Sequence, residues 1–276
     1  MKSSILACMV SRKQANGKGL RRIMKTVAFS NQKGGVGKTT SAAALAAGLS
    51  GRGYRVIAAD VDPQCNLCLS SGVDMLTVSK TLYDVFKGSA TVDDVIVSGL
   101  GFDILPGGLT LAAADMDFTQ AGREYMLSEA LEAVSERYDY AVVDTPPTLG
   151  ILTTNALTAA DGVIVPLTAD VYALQGLNQL NGLIRNVKKY CNRDLRIYGL
   201  LLTKFNERQN VSKVLRDQVE AAAAQLETKV FKTTIRESVA VREAQLLHSD
   251  FLKEAPNANA TLDYESFISE FLESEG

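Results

Sequence analysis

The chain has 276 residues, 46% of them apolar, and a formal net charge of −2. This length and composition are those of a globular protein with a sizeable core. No apolar run approaches the roughly 20 residues of a membrane-spanning helix, and the apolar run at residues 6–10 is too short for a secretory signal. Four cysteines in so long a chain do not indicate a disulfide scaffold. We therefore expect a cytoplasmic protein.

The first 23 residues differ from the rest of the chain. Residues 1–25 contain seven Lys or Arg and no Asp or Glu. An upstream start codon or a disordered tail is the favoured interpretation, and a basic arm that touches nucleic acid is the alternative. Residues 24–276 alternate between strand-like and helix-like segments with no linker. This alternation predicts one α/β domain with a doubly wound, mostly parallel sheet between two helical layers.

The most informative segment is the glycine-rich run KGGVGKTT at residues 33–40. It follows the apolar run TVAF at 26–29 and precedes the alanine-rich run AAALAA at 42–47. A strand, a glycine-rich turn and a helix in that order are what a phosphate-binding loop requires. The segment therefore predicts nucleotide binding.

Each residue type in the loop has a role in holding phosphate. Gly34, Gly35 and Gly37 let backbone N–H groups close around an anionic oxygen, and the start of the following helix adds partial positive charge. Lys38 can reach the β- and γ-phosphates, and the Thr39 hydroxyl is placed for Mg²⁺. The predicted nucleotide-binding residues are Lys33, Gly34, Gly35, Val36, Gly37, Lys38, Thr39 and Thr40.

Two acidic residues follow the next strand-like run. Residues 54–64 read YRVIAADVDPQ, an apolar run that brings Asp60 and Asp62 to the carboxyl edge of a buried parallel strand. Strand alternation places both carboxylates on one face, where they could hold the water shell of a metal or orient an attacking water. The alternative is a pair of turn or capping aspartates before Pro63.

A third strand-like run also ends in a carboxylate. Residues 140–147 read YAVVDTPP, and Asp144 has the position of a Walker B aspartate, which supports Mg²⁺ through water. Many α/β strands end in Asp, so this signal is weak by itself. After a phosphate loop it becomes strong.

These motifs together resemble the ParA/MinD superfamily of deviant Walker A ATPases. Gln32 replaces the usual first glycine of the loop and a second lysine, Lys33, stands beside it; the runs DVDPQCN at 60–66 and DTPPTLG at 144–150 also match. The resemblance covers roughly residues 24–272. It implies that Lys33 reaches the nucleotide of a second subunit, that Asp62 positions the hydrolytic water, and that Asp60 lies nearer the Mg²⁺ shell.

The resemblance also implies a function. ParA-like proteins are slow Mg²⁺-dependent ATPases that form homodimers on binding ATP, bind double-stranded DNA without sequence specificity, and are stimulated by a ParB-like adaptor. We therefore expect a nucleoid-associated ATP switch in plasmid or chromosome partitioning. The alternatives are an ATP-dependent regulatory or cargo-positioning module, as in conjugation or in MinD-like proteins, and a metabolic or redox P-loop relative.

Later segments fit the same plan. Residues 162–166, 197–203 and 230–235 read as strands, and 173–190 as a helix. The resemblance implies that Gly150 and the following residues 152–160 form a nucleotide-sensing switch and helix. The resemblance also implies that the stretch after the last of these strands, 236–244, lines the adenine side of the site and the dimer face, but the family often has proline where this chain has Arg236. The residues that contact the base are therefore left unassigned.

Basic residues are concentrated at 185–216, which contain nine Lys or Arg and two acids. The chain offers no separate helix-turn-helix domain, so specific operator recognition is not expected. A basic face would bind DNA phosphates without sequence specificity; a solvated basic surface is the competing interpretation. The candidate DNA-binding residues are Arg185, Lys188, Lys189, Arg208, Lys213 and Arg216.

The C-terminal segment is acidic, with eight Asp or Glu against one Lys in residues 243–276. The run 264–273 is amphipathic, but anionic lipid would repel it. We therefore expect its apolar positions to pack onto the domain and expect no membrane partner.

Two of the four cysteines follow the Asp-Pro-Gln run. Cys65 and Cys68 form a Cys-x-x-Cys pair, which cannot complete a tetrahedral metal site without a second subunit. Small buried residues are the favoured interpretation, and a cluster or redox site shared by a homodimer is the alternative.

Overall fold

A computed structural model describes residues 24–168, 173–206 and 210–274 of the chain. The predicted tail at residues 1–23 lies outside them. Within the described residues seven strands form one sheet. The strands are β1 Lys25–Phe29, β2 Val56–Asp60, β3 Val97–Ser98, β4 Asp103–Leu105, β5 Tyr140–Asp144, β6 Gly162–Thr168 and β7 Arg196–Thr203.

Helices occupy most of the connections between these strands. They are α1 Lys38–Gly51, α2 Asn66–Ser70, α3 Leu82–Phe86, α4 Ala114–Asp117, α5 Met126–Glu132, α6 Ile151–Ala159, α7 Ala173–Tyr190, α8 Asn210–Gln225, α9 Val239–Leu246, α10 Phe251–Glu254 and α11 Asn259–Glu273. Short 3₁₀ helices lie at Val92–Asp94, Leu109–Ala113 and Arg123–Tyr125.

The strand order is β3-β4-β2-β5-β1-β6-β7. All neighbouring pairs are parallel except β3 and β4, which are antiparallel. The predicted doubly wound, mostly parallel sheet is therefore confirmed. Because β2, β5 and β1 are neighbours, the turns that follow them meet at one edge of the sheet, where ligands bind in such folds.

The two faces of the sheet are covered by different helices. Along β5, Ala141 and Val143 lie in a core with α5, α6 and α7, whereas Tyr140 and Val142 lie in a core with α1 and α11. This alternation follows from the two-residue period of a strand. Parallel strands buried on both faces give the three-layer architecture that the continuous apolar runs predict.

The predicted strand at residues 230–235 is not a regular strand. Only isolated bridges, Leu200↔Val230 and Thr203↔Ile235, connect this segment to β7. Between them, the backbone N–H groups of Lys232 and Thr233 donate to the Glu270 carboxylate at 2.8 and 2.9 Å instead of to a strand. The sequence prediction was wrong here because a side chain far along the chain takes these donors.

The acidic C-terminal helix packs as predicted. On α11, Phe267, Ile268 and Phe271 are fully buried in the core on the α1 face, and Leu272 is partly buried against it. Charged side chains of α11 lie outside this stripe. Among the described residues, no helix combines the length and the apolarity that a membrane span needs.

Candidate nucleotide-binding site

The glycine-rich loop connects β1 to α1 in a conformation that only glycine adopts readily. Gly35 and Gly37 have φ of 73° and 83°, in the left-handed region. Val36 between them is buried, and its carbonyl accepts a hydrogen bond from Thr203 Oγ1 at 2.8 Å. Helix α1 begins at Lys38, so its free N–H groups face the concave side of the loop. This arrangement is suited to binding an anion.

Lys38 lies inside the loop with little contact with solvent. The residue is 6% exposed, and Nζ donates to the Lys33 carbonyl at 3.3 Å. Burial lowers the pKa of Lys38, while the charges of Asp144 and Asp62 act in the opposite direction. The ammonium group is therefore poorly solvated and would gain from an added negative charge.

Thr39 and Asp144 form the centre of a polar cluster beside Lys38. Thr39 Oγ1 donates to Asp144 Oδ2 at 2.6 Å. The other oxygen, Asp144 Oδ1, is buried and accepts no hydrogen bond from the described residues. Burial, and then the charge of Asp60, raise the pKa of Asp144 well above its usual value. A buried carboxylate with an unused oxygen beside a hydroxyl suits a hard cation such as Mg²⁺.

The described residues contain no cluster of three or more His, Cys, Asp or Glu side chains able to hold a metal ion. Mg²⁺ in nucleotide sites usually has one or two carboxylate contacts, several waters and the phosphates of the nucleotide. The residues present therefore fit Mg²⁺ bound together with a nucleotide.

Asp60 and Asp62 lie in different environments. Asp60 is the last residue of β2, is in register with Asp144, and is completely buried. Both its oxygens accept backbone N–H groups, from Asp62 at 3.2 Å and from Cys68 at 3.0 Å. Burial raises the pKa of Asp60 to about 6. These bonds favour the turn interpretation for Asp60, which orders the segment that carries Asp62.

Asp62 lies beyond the end of β2, so strand alternation does not place its side chain. Its Oδ1 accepts the N–H of Gln64 at 3.0 Å, as in an Asx turn. The residue is 7% exposed and lines the same cleft as Lys38. Asp62 therefore combines a turn role with access to the site.

Lys33 is half-buried at the start of the loop. Its N–H donates to Asn31 Oδ1 at 3.0 Å, and its Nζ donates to Thr168 Oγ1 at 3.4 Å. Both partners belong to the same chain. The inter-subunit role implied by the family resemblance is therefore a prediction about another state of the protein.

An open cleft of about 670 Å³ lies in front of the loop. The loop and α1 form one wall, and Asp62 and Pro147 border it. The opposite wall contains the stretch 236–244, whose base-contacting residues were left unassigned from the sequence. Its residues include Lys204, Ile235, Arg236, Glu237, Ser238, Val241, Arg242, Gln245 and His248. The volume is in the range of small-molecule sites.

Two side chains connect the walls across the cleft. Gln245 Nε2 donates to Thr40 Oγ1 at 3.0 Å, which joins α9 to α1. His248 Nδ1 and the Leu69 carbonyl lie 3.0 Å apart, which joins the end of α9 to α2. No local motif marks either residue, because each is defined by a contact with a segment far away in the sequence.

The segment after Asp144 runs from the site to the opposite helical layer. Pro147 lines the cleft, and α6 begins at Ile151. Asp115 Oδ1 accepts the Ile151 N–H at 2.9 Å and so caps α6 from outside its own sequence. This cap could not be predicted, because the capping residue lies 36 residues before the helix in the sequence.

The chain is similar in sequence to known proteins of one family. A family profile described as "AAA domain" matches residues 24–197. The sporulation initiation inhibitor protein Soj of Bacillus subtilis is 41% identical over 223 residues, which cover 80% of this chain and 87% of Soj. The chromosome partitioning protein ParA of Caulobacter vibrioides is 39% identical over 226 residues, which cover 80% of this chain and 84% of ParA. The chain belongs to the ParA/Soj family of P-loop ATPases.

A solved structure shows the same fold with a ligand. Cobyrinic acid a,c-diamide synthase of Mycobacterium smegmatis, with bound ADP and magnesium, is 32% identical and superimposes with a TM-score of 0.79 over 90% of this chain and 94% of that protein. One fold thus serves proteins named for different activities, so for this ParA/Soj-family chain the partitioning role needs its own argument.

The candidate DNA-binding residues lie in the basic stretch 185–216. Arg185, Lys188 and Lys189 are exposed on the last turns of α7, at a spacing that places them on one face. Arg216 on α8 pairs with Glu220 at 3.0 Å. Arg208 lies outside the described residues, and the Lys213 side chain is likewise not described.

The cysteine pair of this ParA/Soj-family chain is buried beside the aspartates. Cys65 is 6% exposed and Cys68 is fully buried. Burial, and then the charge of Asp60, raise the pKa of Cys65 to about 12 and also raise the pKa of Cys68. Metal binding and redox chemistry need the thiolate, which this environment disfavours.

Proposed function

We propose that this chain binds ATP with Mg²⁺ and hydrolyses it slowly as a homodimer switch in plasmid or chromosome partitioning. One observation carries the catalytic part. Lys38 and Thr39 line a cleft of about 670 Å³, and Thr39 donates to Asp144, whose other oxygen is buried and has no hydrogen-bond partner among the described residues. Lys38 is complementary to phosphate, Thr39 and Asp144 are complementary to a hard cation, and the cleft has room for the rest of a nucleotide.

The loop would hold the phosphates by position and charge. The N–H groups at the start of α1 and the backbone around Gly35 and Gly37 donate to phosphate oxygens. Lys38 exchanges its contact with the Lys33 carbonyl for the β- and γ-phosphates, which compensates its poor solvation. Little covalent chemistry is required of the protein in phosphoryl transfer, so this positioning supplies most of its contribution.

Thr39 and Asp144 would hold Mg²⁺, with Asp144 acting directly or through water. Bound Mg²⁺ supplies neutralisation of the charge on the phosphate oxygens. Asp60, with both oxygens accepting backbone N–H groups, acts behind them by fixing the turn of Asp62. Asp62 then orients the attacking water. The opposite wall, from Ile235 to Gln245, is the candidate surface for the base and ribose.

The partner-dependent part of the proposal rests on family membership. ATP would hold two copies of residues 24–276 together, with Lys33 of each completing the site of the other. The dimer would bind double-stranded DNA without sequence specificity, and a ParB-like adaptor would stimulate hydrolysis. The decisive experiment measures phosphate release by the purified protein alone, with DNA, and with DNA and a ParB-like adaptor.

The rival function is ATP-dependent synthesis, as in the metabolic relatives of this fold. The same assay separates the two. Stimulation by DNA and the adaptor supports partitioning, whereas an ATPase rate that responds to a small carboxylate substrate and an amine donor, and not to DNA, would favour synthesis.

Replacing Lys33 by alanine should affect the dimer more than nucleotide binding. In the single chain Lys33 Nζ lies against Thr168, so ATP affinity should stay within about threefold of wild type, while loss of an interfacial charge should weaken ATP-dependent dimerisation at least tenfold (about 1.4 kcal/mol or more). Light scattering with a non-hydrolysable ATP analogue measures the fractions of monomer and dimer. The variant Lys87→Ala, at an exposed lysine directly after α3, is the control. Wild-type dimerisation of Lys33→Ala would remove Lys33 from the interface.

Reversing the charges of Arg185 and Lys188 together should weaken DNA binding. If these side chains contact phosphates, the double variant to Glu loses about tenfold to 100-fold in affinity, and the slope of log affinity against log salt falls by about two. ATP-dependent dimerisation should be unchanged. Fluorescence anisotropy at several salt concentrations measures the effect, with Lys87→Glu as the matched charge reversal. An unaltered salt slope would place the DNA-binding surface elsewhere.

A further inference from the structure

The C-terminal helix α11 touches both walls of the nucleotide cleft. Its residues fall into two groups by helical period. Asp263, Phe267 and Glu270 are spaced at i, i+4 and i+7 and contact the segment 231–236. Tyr264 and Ile268, on the neighbouring face, contact α1.

The contact with the cleft wall is made through backbone N–H groups. Glu270 accepts the N–H groups of Lys232 and Thr233 at 2.8 and 2.9 Å, one on each carboxylate oxygen. Asp263 Oδ2 accepts the N–H of Arg236 at 2.9 Å. Two carboxylates of α11 thus accept three backbone N–H groups from the irregular segment 232–236.

Side chains reinforce the same contact. Arg236 Nη2 lies 2.6 Å from Asp263 Oδ1 and its Nε lies 2.9 Å from Oδ2, so the pair is bidentate, and the Asp263 side chain is only 13% exposed. The Phe231 and Phe267 rings pack edge to face with centroids 5.0 Å apart. The hydrogen bonds between Arg236 and Asp263 are charge-assisted and therefore stronger than neutral hydrogen bonds.

The contact with the phosphate side is buried. The Tyr264 and Ser41 hydroxyls are 3.0 Å apart, and both residues are almost fully buried. Ile268 Cδ1 packs against the Cα of Gly48 so closely that a Cβ there would collide with it. Helix α1, whose first turn binds phosphate in the proposed function, is therefore fixed to the same helix as the opposite wall.

We infer that α11 sets the separation of the two cleft walls, with Asp263 and Glu270 as positioning residues for nucleotide binding. This inference rests on the proposed nucleotide site and adds the part of the chain that shapes its base and ribose side. Segment 232–236 lacks regular strand pairing, so the two carboxylates substitute for a strand neighbour. The acidic character of the C-terminal segment thereby has a role inside the molecule, apart from any partner.

The test compares two Glu→Gln changes on the same helix. Glu270→Gln leaves one acceptor where two were used and places an amide N–H against a backbone N–H, so we expect the ATP dissociation constant to rise about tenfold. Glu265→Gln is the matched control, because Glu265 pairs with Arg52 at 2.6 Å on the α1 side and does not touch the wall. Single-turnover hydrolysis at saturating ATP should stay within about twofold of wild type in both variants, because Lys38 and Asp62 are untouched.

Hydrogen exchange gives a direct measure of the wall. In the nucleotide-free protein, peptides covering 230–238 should exchange faster in Glu270→Gln than in Glu265→Gln, while peptides of β1 and β5 should not differ. If Glu270→Gln does not fold, Asp263→Asn takes its place. It retains one acceptor for the Arg236 N–H and loses the charge of the pair, so a smaller rise in the dissociation constant is expected.

The outcomes distinguish this inference from the function on which it rests. Failure of the wild-type protein to bind ATP would defeat the proposed function. Wild-type binding, with equal dissociation constants and equal exchange for Glu270→Gln and Glu265→Gln, would overturn the positioning role alone. A selective loss of affinity in Glu270→Gln, with hydrolysis of bound ATP retained, is the result we expect.

Discussion

Replacing Lys38 by alanine is expected to abolish ATP binding in the micromolar range. The ammonium group lies buried inside the loop and is the only side-chain cation that the loop places beside Asp144 and Asp62 among the described residues. Removing one partner of a buried, hydrogen-bonded charge pair costs about 2–5 kcal/mol, which is a loss of roughly 30-fold or more. Isothermal titration calorimetry with a non-hydrolysable ATP analogue measures the loss.

The variant must also be shown to fold. Lys38 partly offsets the charge of Asp144, so its removal could shift stability, and the unfolding temperature without nucleotide has to be measured beside the affinity. Lys87→Ala is the control for loss of an exposed lysine. Wild type should gain thermal stability from ATP and Lys38→Ala should not, because only binding to the native state raises stability. Retained affinity in a folded Lys38→Ala protein would show that the loop does not bind phosphate.

The parts of the fold that could be predicted are those coded by local pattern. The loop at residues 33–40 and the strands that end at Asp60 and Asp144 each carry their signal within a dozen residues. The carboxyl ends of parallel strands lie at one edge of the sheet. The fold class therefore predicted that the loop and the turns after Asp60 and Asp144 lie close together. The length of α7, residues 173–190, also agreed with its apolar stripe.

The parts that could not be predicted depend on contacts between distant segments. Residues 230–235 have a strand-like composition, yet Glu270, almost 40 residues later, takes two of the N–H groups that a strand would use. Asp115 caps α6 from a separate segment in the same way. Such side-chain to backbone bonds leave no period in the sequence, because a single carboxylate at the right position is sufficient.

The candidate site divides along the same line. The phosphate side was predicted residue by residue, whereas for the opposite wall the family resemblance implied only the stretch 236–244, and its individual residues, which include Arg236 and Gln245, were identified from the structure. The base side of a nucleotide site is bound mainly by shape and apolar contact, which many residue types can supply. Arg236 stands where the family often has proline, and its side chain contacts α11. This contact gives the departure a structural explanation.

Replacing Asp62 is expected to separate ATP binding from hydrolysis. Asp62→Ala should bind ATP with near wild-type affinity, because Lys38, Thr39 and the loop are untouched, and should lose about 100-fold or more in turnover if the carboxylate orients the water. The ATP-bound dimer should then accumulate, because in the proposed function it dissociates after ATP hydrolysis. Phosphate release and light scattering on the same sample measure the two effects.

The difficulty with this variant is that Asp62 also makes a turn, through its bond to the Gln64 N–H. Asp62→Asn resolves it, because the amide oxygen still accepts that N–H while the negative charge is gone. A second control is Asp74→Ala. Exposed Asp74 makes the same kind of turn, since its Oδ1 accepts the Leu76 N–H at 3.0 Å, and it does not line the cleft. If catalysis needs the carboxylate, Asp62→Asn falls as low as Asp62→Ala and Asp74→Ala remains active. Should Asp62→Asn instead hydrolyse ATP at the wild-type rate, Asp62 acts only as a turn residue, and another group must position the water.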